Sequence, residues 1–401
     1  MTASADRAHS KAEERRALGV ACGAHALHDG YTDLIYIMLP IWQHEFGLGF
    51  AALGLMKTVF SGTLAGFQIP SGYLAERFGA PIVLALGTAL AGFGYCLAGF
   101  SSSVAALVAA LFVAGLGAST QHPLASSLIA HVFAGVRSLK ALGTYNFAGD
   151  IGKMTLPAAA SLLFVLLPWH EALLLLGGLG VLAAIAIFVL IPRFAAAAAA
   201  PRKNDASAGA GSRLSQFGFP LLLSVGVIDS ATRMAFLTYL PFVLTAKGAN
   251  LPNIGMALTL VFAGGAAGKL VCAFIGARIG AVATVWLTEA VTALGIVALL
   301  PLSLEAALLL LPLVGVVLNG TSSVLYGSVP DLVAPARRQS AFGIFYTGTI
   351  GAGAVSPALY GLLGDAVGVP SALMVVAAVV LLTLPITLAL RPALAAHPST
   401  S

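Results

Sequence analysis

Apolar segments of about 20 residues follow one another along nearly the whole chain, and each is long enough to cross a hydrocarbon core roughly 30 Å thick. No other feature constrains the fold as strongly. In lipid the backbone must satisfy its own hydrogen bonds, so such segments fold as helices. Composition agrees: of 401 residues, 59% are hydrophobic and 9% charged, whereas a soluble domain carries roughly a quarter charged residues. Mean hydropathy is +0.97. The chain reads as a polytopic, all-α membrane protein.

Turn signals and charges divide it into twelve transmembrane spans near 17–41, 51–74, 81–100, 103–130, 141–167, 172–192, 217–245, 254–275, 281–301, 304–330, 341–363 and 370–390. These group into a six-helix bundle over 17–192 and a second over 217–391. A linker at 193–216 rich in Ala, Gly, Ser and charge joins them, and polar tails fill 1–16 and 392–401. The first 16 residues hold no short apolar region leading to a cleavage site, so the first span is expected to be retained. On these spans, fifteen Lys and Arg residues fall on one side, among them Arg77, Arg137, Arg278 and Arg338, and only Lys247 falls on the other. Both termini are therefore expected in the cytoplasm. The same distribution explains the sequence pI near 9.2 without invoking nucleic acid.

The halves echo each other at an offset of about 200 residues. Ala141-Leu-Gly143 recurs as Ala341-Phe-Gly343, Pro157 as Pro357, and Arg77-Phe-Gly79-Ala80 as Arg278-Ile-Gly280-Ala281. Duplicated membrane halves suggest two pseudo-symmetric bundles that rock about a site near the bilayer midplane.

The stretch Gly72-Tyr-Leu-Ala-Glu76-Arg77-Phe-Gly79 resembles the loop motif of the major facilitator superfamily, with Glu76 in place of the usual Asp. The resemblance covers essentially the whole chain. A carboxylate at a cytoplasmic helix end can meet a neighbouring helix N-terminus and an Arg. Gly72, Glu76, Arg77 and Gly79 thus form a candidate gating latch. The second copy keeps Arg278 and Gly280 but has Ala277 at the acidic position.

Within that superfamily the first half is most similar to the fosmidomycin resistance protein group. The matching residues are His25-x-x-x-Asp29, Gly115-Leu-Gly117-Ala-Ser-Thr-Gln-His122-Pro123 and Tyr145-Asn146-Phe147-Ala-Gly149. The resemblance implies proton-coupled export of a small toxic or anionic compound, by antiport, from a bacterial cytoplasm across the inner membrane. Its partners would be a small solute, protons and lipid, with a monomer as the working unit. The chain departs from the group at Asp150 and Lys153, where small residues are expected.

Ionised side chains at bilayer depth are costly, so they normally face a wet cavity or pair with one another. Asp29 and Asp33 are i,i+4 and share a helix face. Two carboxylates that close disfavour double ionisation, which lets the pair carry a proton. His25 extends that face, so His25, Asp29, Asp33 and Asp150 are the candidate proton-coupling residues. Asp150 and Lys153 are i,i+3, and Asp229 and Arg233 are i,i+4. Either pair can be a closed salt bridge or one that opens to a substrate. Lys153 and Arg233 favour an anion, for which Arg offers a bidentate fork. Gln121, His122 and Asn146, with Lys153, Asp229 and Arg233, complete the candidate substrate contacts. Pro123 disturbs the backbone ladder beside His122. Lys57, Lys269 and Glu289 read as lone charges, and long Lys stems can snorkel. The glycines Gly62-x-x-x-Gly66, Gly149-x-x-Gly152 and Gly348-x-x-Gly351-x-Gly353 read as packing surfaces.

No H-E-x-x-H, G-x-S-x-G or phosphate loop is present, so an enzyme is not expected, nor a cofactor or resident metal. Two rival readings stay open. One is a metalloid or metal exporter, since Cys22, Cys96 and Cys272 offer soft ligands but in no clustered spacing. The other is proton-coupled uptake of a small organic solute.

Overall fold

The computed structural model describes residues 10–133, 136–191, 213–334 and 337–395. The outer part of each terminal tail and nearly all of the expected linker lie outside the described residues. Fifteen α-helices occupy the described chain, and their order follows the apolar segments. They are α1 (Lys11–Phe46), α2 (Phe50–Gly66), α3 (Gln68–Phe78), α4 (Ala80–Gly99), α5 (Val104–Ala118), α6 (Gln121–Val132), α7 (Val136–Leu166) and α8 (Trp169–Leu190), then α9 (Arg213–Ala246), α10 (Leu251–Ile279), α11 (Ala281–Leu299), α12 (Leu304–Leu332), α13 (Arg338–Val367), α14 (Val369–Val380) and α15 (Thr383–Ala395).

Ten stretches are long and apolar enough to cross a membrane, counting Val104–Ile129 and Val369–Leu394 as single runs. They become eleven if α2 and α3, bent by 42° at Phe67, form one broken span. The expected first span is not among them, although α1 has 36 residues. His25, His28, Asp29 and Asp33 lower its apolar content below that of the other spans.

The offset between halves reappears in local geometry. Gly79 and Gly280 each end one helix and begin the next, with φ of 90° and 83°, a left-handed backbone that glycine adopts without a Cβ clash. Ser103 and Ser303 each cap a helix, their hydroxyls accepting from the N–H of Ala106 and Ala306 at 3.3 Å. Pro157 and Pro357 sit inside α7 and α13.

The chain divides into two compact units, and the division cuts helices. The first holds residues 1–32, 66–156 and 167–201. Within it α4 packs on α5 and α8. Small residues make that possible: a Cβ on Gly92 would lie 2.6 Å from Gly177 O. Its core gathers Ala17, Ala21, Leu84, Ala125, Leu128 and Tyr145. The second unit holds residues 33–65, 157–166 and 202–401. Here α10 packs on α12 and α9 on α13, and a Cβ on Gly268 would fall 2.1 Å from Val316 O. Leu222, Val225, Cys272, Leu325, Val329 and Phe345 are among its core residues. Lys247, the cation expected alone on its side, donates to Leu300 O at 2.7 Å and Leu302 O at 2.6 Å, satisfying carbonyls at the end of α11.

Candidate functional site

The opening helix gathers the densest polar cluster of the first unit around Asp29. Its Oδ1 lies 3.4 Å from His25 Nε2, 3.9 Å from His28 Nε2 and 4.0 Å from His122 Nε2, while Oδ2 lies 3.4 Å from Lys153 Nζ. Asp29, His25 and His28 are buried. The side chains of His122 and Lys153 are 44% and 31% exposed, so the cluster has an open edge.

Three helices build it. On α1, His25 and Asp29 are one turn apart. The α5–α6 run breaks at Ser119–Thr120, just before Gln121-His122-Pro123, and α6 begins at Gln121. On α7, glycines allow contact with α1: a Cβ on Gly152 would meet Ala26 O at 1.8 Å, and one on Gly149 would meet Asp29 Oδ2 at 2.5 Å. The expected packing role thus holds for Gly149 and Gly152. It fails for Gly62 and Gly66, where an added Cβ would meet nothing within 4 Å.

The hydrogen bonding of His25 fixes its chemistry. Nδ1 lies 2.8 Å from Tyr145 O, and a carbonyl can only accept, so Nδ1 carries the hydrogen. Nε2 then turns toward Asp29 as a bare lone pair in the neutral ring, or as a donor once a proton arrives. The ring also stacks on Tyr145 at 3.9 Å. A proton on Nε2 therefore converts a poor contact with Asp29 into a charge-assisted hydrogen bond. Gln121 is buried beside the break, and neither end of its amide finds a hydrogen-bond partner among the described residues. Such an amide is a natural contact for a bound solute.

Lys153, expected to answer Asp150 on its own helix, brings its ammonium to Asp29. Asp150 is buried one turn earlier on α7, and Asn146 is exposed. Asp33 continues the face of α1, yet its surroundings belong to the second unit. It shares the neighbourhood of Tyr36 with Arg233, and Lys57 Nζ stands 4.3 Å over the Tyr36 ring.

Asp229 and Arg233 lie one turn apart on α9, where Asp229 is buried and Arg233 half-buried. Glu289 of α11, which read from sequence as a lone charge, is buried within electrostatic reach of Asp229. Of the latch residues, Gly79 is the left-handed cap already described. Gly72 is half-buried, and Glu76 and Arg77 are exposed, with no ion pair among the described residues. Arg77 instead rests over Phe78 at 5.4 Å, as Arg278 does over Phe274 at 4.3 Å.

Sequence reading missed two polar contacts. Arg137 on α7 forms an ion pair with Glu14 on α1. Asp365 near the end of α13 accepts from Phe50 N at 2.6 Å and Ala51 N at 3.0 Å, capping α2. Both join residues far apart in the chain, and no local spacing announces them.

His25, Asp29 and His122 offer ligand atoms within 4.8 Å of one another, a set that suits a divalent transition cation. Lys153 beside Asp29 opposes one, and its ammonium already supplies the positive charge.

The sequence profile of the Major Facilitator Superfamily matches residues 21–228 and again 222–401. The chain is 25% identical over 353 residues to the fosmidomycin resistance protein of Escherichia coli, covering 87% of this chain and 86% of that one. It is 31% identical over 163 residues to a probable sulfoacetate transporter of Cupriavidus necator, over 40% of this chain and 37% of the other. Among solved structures, a bacterial homologue of the human lysosomal transporter Spinster, inward-facing and occupied, matches with a TM-score of 0.80 at 14% identity. That match spans 98% of this chain and 100% of the other. The nucleoside transporter NupG matches with a TM-score of 0.72 at 14% identity, over 95% and 98%.

Proposed function

The chain belongs to the Major Facilitator Superfamily, and from that premise we propose that it is a proton-coupled secondary transporter of a small organic anion, working by alternating access. Transport of a small solute, and not catalysis, is the activity that its relatives share. In this reading α1, despite its polar face, completes a set of twelve spans. The chain sits in a bacterial inner membrane with both termini in the cytoplasm, and two six-helix bundles at 17–192 and 217–391 rock about the polar residues. Gly72, Glu76, Arg77, Gly79 and Arg278 gate the cytoplasmic side.

The observation that carries the proposal is the set of imidazoles and an ammonium around one buried carboxylate. With neutral histidines, Asp29 answers Lys153 and the charges cancel. A proton on His25 Nε2 gives Asp29 a second cation. Lys153, already at the open edge, is then free to bind an anion, with Gln121, His122 and Asn146 alongside. Asp33 and Asp150 extend the proton path. Asp229 and Arg233 contact the substrate from the second half.

Export by antiport is the direction supported by the likeness to the fosmidomycin resistance protein. The charge count around Asp29 favours a second reading, in which proton and anion bind together and uptake follows the proton gradient. Proteoliposomes with an imposed pH gradient separate the two, using fosmidomycin, sulfoacetate and 4-hydroxybenzoate as trial anions. In uptake, an acidic exterior drives the anion inward; in antiport, it drives the anion outward. Asp29→Asn with Asp33→Asn should abolish either response, and a gradient response that survives both substitutions overturns proton coupling through these residues. Arg233→Gln should slow anionic substrates more than neutral ones, whereas equal slowing removes Arg233 from anion recognition.

A further inference from the structure

Helices α1 and α8 of the first unit leave an apolar groove between them. It holds about 390 Å3, with Gly19, Gly23 and Leu27 on the α1 wall and Leu179, Ala183 and Leu190 on the α8 wall. Only Gly, Ala, Val, Ile and Leu line it. The room comes from missing side chains: Gly19 and Gly23 are one turn apart on the same face, and a Cβ on either would meet nothing within 4 Å. Leu179 and Leu190 are each 45% exposed, so the groove opens on the outside of the helix pair. From Gly19 to Leu27 it runs about 12 Å at the rise of an α-helix, most of the depth of one leaflet in a hydrocarbon core roughly 30 Å thick. A space with such walls stays dry, and in a bilayer hydrocarbon fills it.

The mouth of the groove is positively charged. Arg16, one turn before Val20 of the α1 wall, reaches across to α8, where its Nη2 donates to Val189 O at 3.1 Å beside Leu190. Its side chain is exposed, and a guanidinium has five N–H donors in a fork that suits a phosphate. Arg15, one turn before Gly19, is exposed as well. The acids nearby have partners of their own. Glu13 accepts from Ser10 N at 3.0 Å at the start of α1, and Glu14 pairs with Arg137 of α7.

We propose that this groove is the seat of an anionic phospholipid, with one acyl chain lying between α1 and α8 and the phosphate against Arg16. Charge selects this occupant over a second copy of the chain. A two-fold contact places the same patch on both subunits, so it would bring Arg15 and Arg16 against their own counterparts. The lipid braces the helix that carries His25 and Asp29 from the side away from the polar cluster. The proposal rests on α1 being a span, as the transport reading has it.

The test is native mass spectrometry of the purified full chain with phosphatidylglycerol or phosphatidylethanolamine added. Wild type should retain one phosphatidylglycerol in preference to phosphatidylethanolamine. Arg16→Gln should weaken that retention about fivefold, the worth of one cation at an anionic surface, whereas Arg391→Gln in the second unit should leave it unchanged. Gly23→Leu puts a side chain into the groove where a Cβ meets no neighbour, so it should keep the thermal midpoint and still lose the lipid. Unchanged retention in Arg16→Gln or Gly23→Leu, or an equal loss in Arg391→Gln, overturns the proposal. A wild-type dimer that Gly23→Leu abolishes also overturns it, because a second copy is then the occupant. Labelling of Leu27→Cys in membranes by a water-soluble maleimide, with Cys22→Ser, Cys96→Ser and Cys272→Ser in the background, separates the two possible failures. Slow labelling with unchanged lipid retention removes the lipid seat alone, and rapid labelling takes α1 out of lipid and removes both readings.

Discussion

The two polar clusters solve the same problem in opposite ways. Around Asp29, one carboxylate meets one ammonium and three imidazoles. That set is neutral without an added proton, and it has vacant nitrogen atoms where a proton can arrive. In the second unit Asp229 has the Arg233 guanidinium one turn along α9 and Glu289 within electrostatic reach, so acids and a guanidinium stand where the first cluster has imidazoles. A duplicated fold has thus placed unlike polar chemistry in its two halves.

The largest effect should come from Asp29→Asn. It removes the carboxylate that Lys153 meets at 3.4 Å, and transport should lose its response to a proton gradient. Stability should fall by less than the roughly 3–5 kcal/mol typical of an orphaned buried charge, because Lys153, at 31% exposure, can turn to water. Asp29→Asn with Lys153→Gln should then recover the thermal midpoint without recovering coupling. Intact coupling in the single variant would break the contrast at its stronger end.

The next effect belongs to the second cluster and grows with pH. Arg233→Gln leaves its carboxyls short of a cation, so the folded state must either take up another proton or keep an unbalanced charge. Protons therefore stabilise this fold more than the wild-type fold. The loss of thermal stability relative to wild type should be small in acid and grow as pH rises. A loss independent of pH would mean that Arg233 does not balance the acids.

Zn2+ sharpens the comparison further, since only the first cluster has imidazoles. The ion should slow transport by bridging His25, Asp29 and His122, and should do so less at low pH, where protonated imidazoles cannot ligate. His122→Asn should relieve the block. Equal inhibition of that variant would place the ion elsewhere.

How much of this was legible in the sequence depends on distance along the chain. Apolar runs located the helices, because each run crosses lipid independently of its neighbours. Helical spacing placed His25, Asp29 and Asp33 on one face, because that geometry is local. It could not show that Asp29 would meet Lys153 on α7 while Asp33 looked toward Tyr36 and Arg233. Spacing offered Lys153 its neighbour Asp150 on the same helix and could not add Asp29 from another one. The Asp365 cap on α2 escaped for the same reason. Glycine spacing showed a related limit: Gly149-x-x-Gly152 and Gly62-x-x-x-Gly66 look alike as motifs, and only the partner helix tells them apart.

That difference supplies the smallest prediction. A methyl group on Gly149 would press on Asp29 Oδ2 at 2.5 Å and His25 Cε1 at 2.6 Å, inside the first cluster. Gly149→Ala should destabilise by about 1–3 kcal/mol, the usual range for overpacking a tight contact, and should shift the pH dependence of transport by moving the imidazole away from the carboxylate. At Gly62 the added methyl meets nothing within 4 Å, so Gly62→Ala should leave that pH dependence unchanged and gain up to about 1 kcal/mol from better helix propensity. Thermal unfolding and pH-dependent transport of the two variants, measured side by side, check both. If Gly149→Ala matched Gly62→Ala in both readouts, the carboxylate and imidazole would not be held in contact by the close approach of α7. The first cluster would then be a loose set of polar groups in place of a built proton site, and its contrast with the acids and guanidinium of the second half would lose its physical basis.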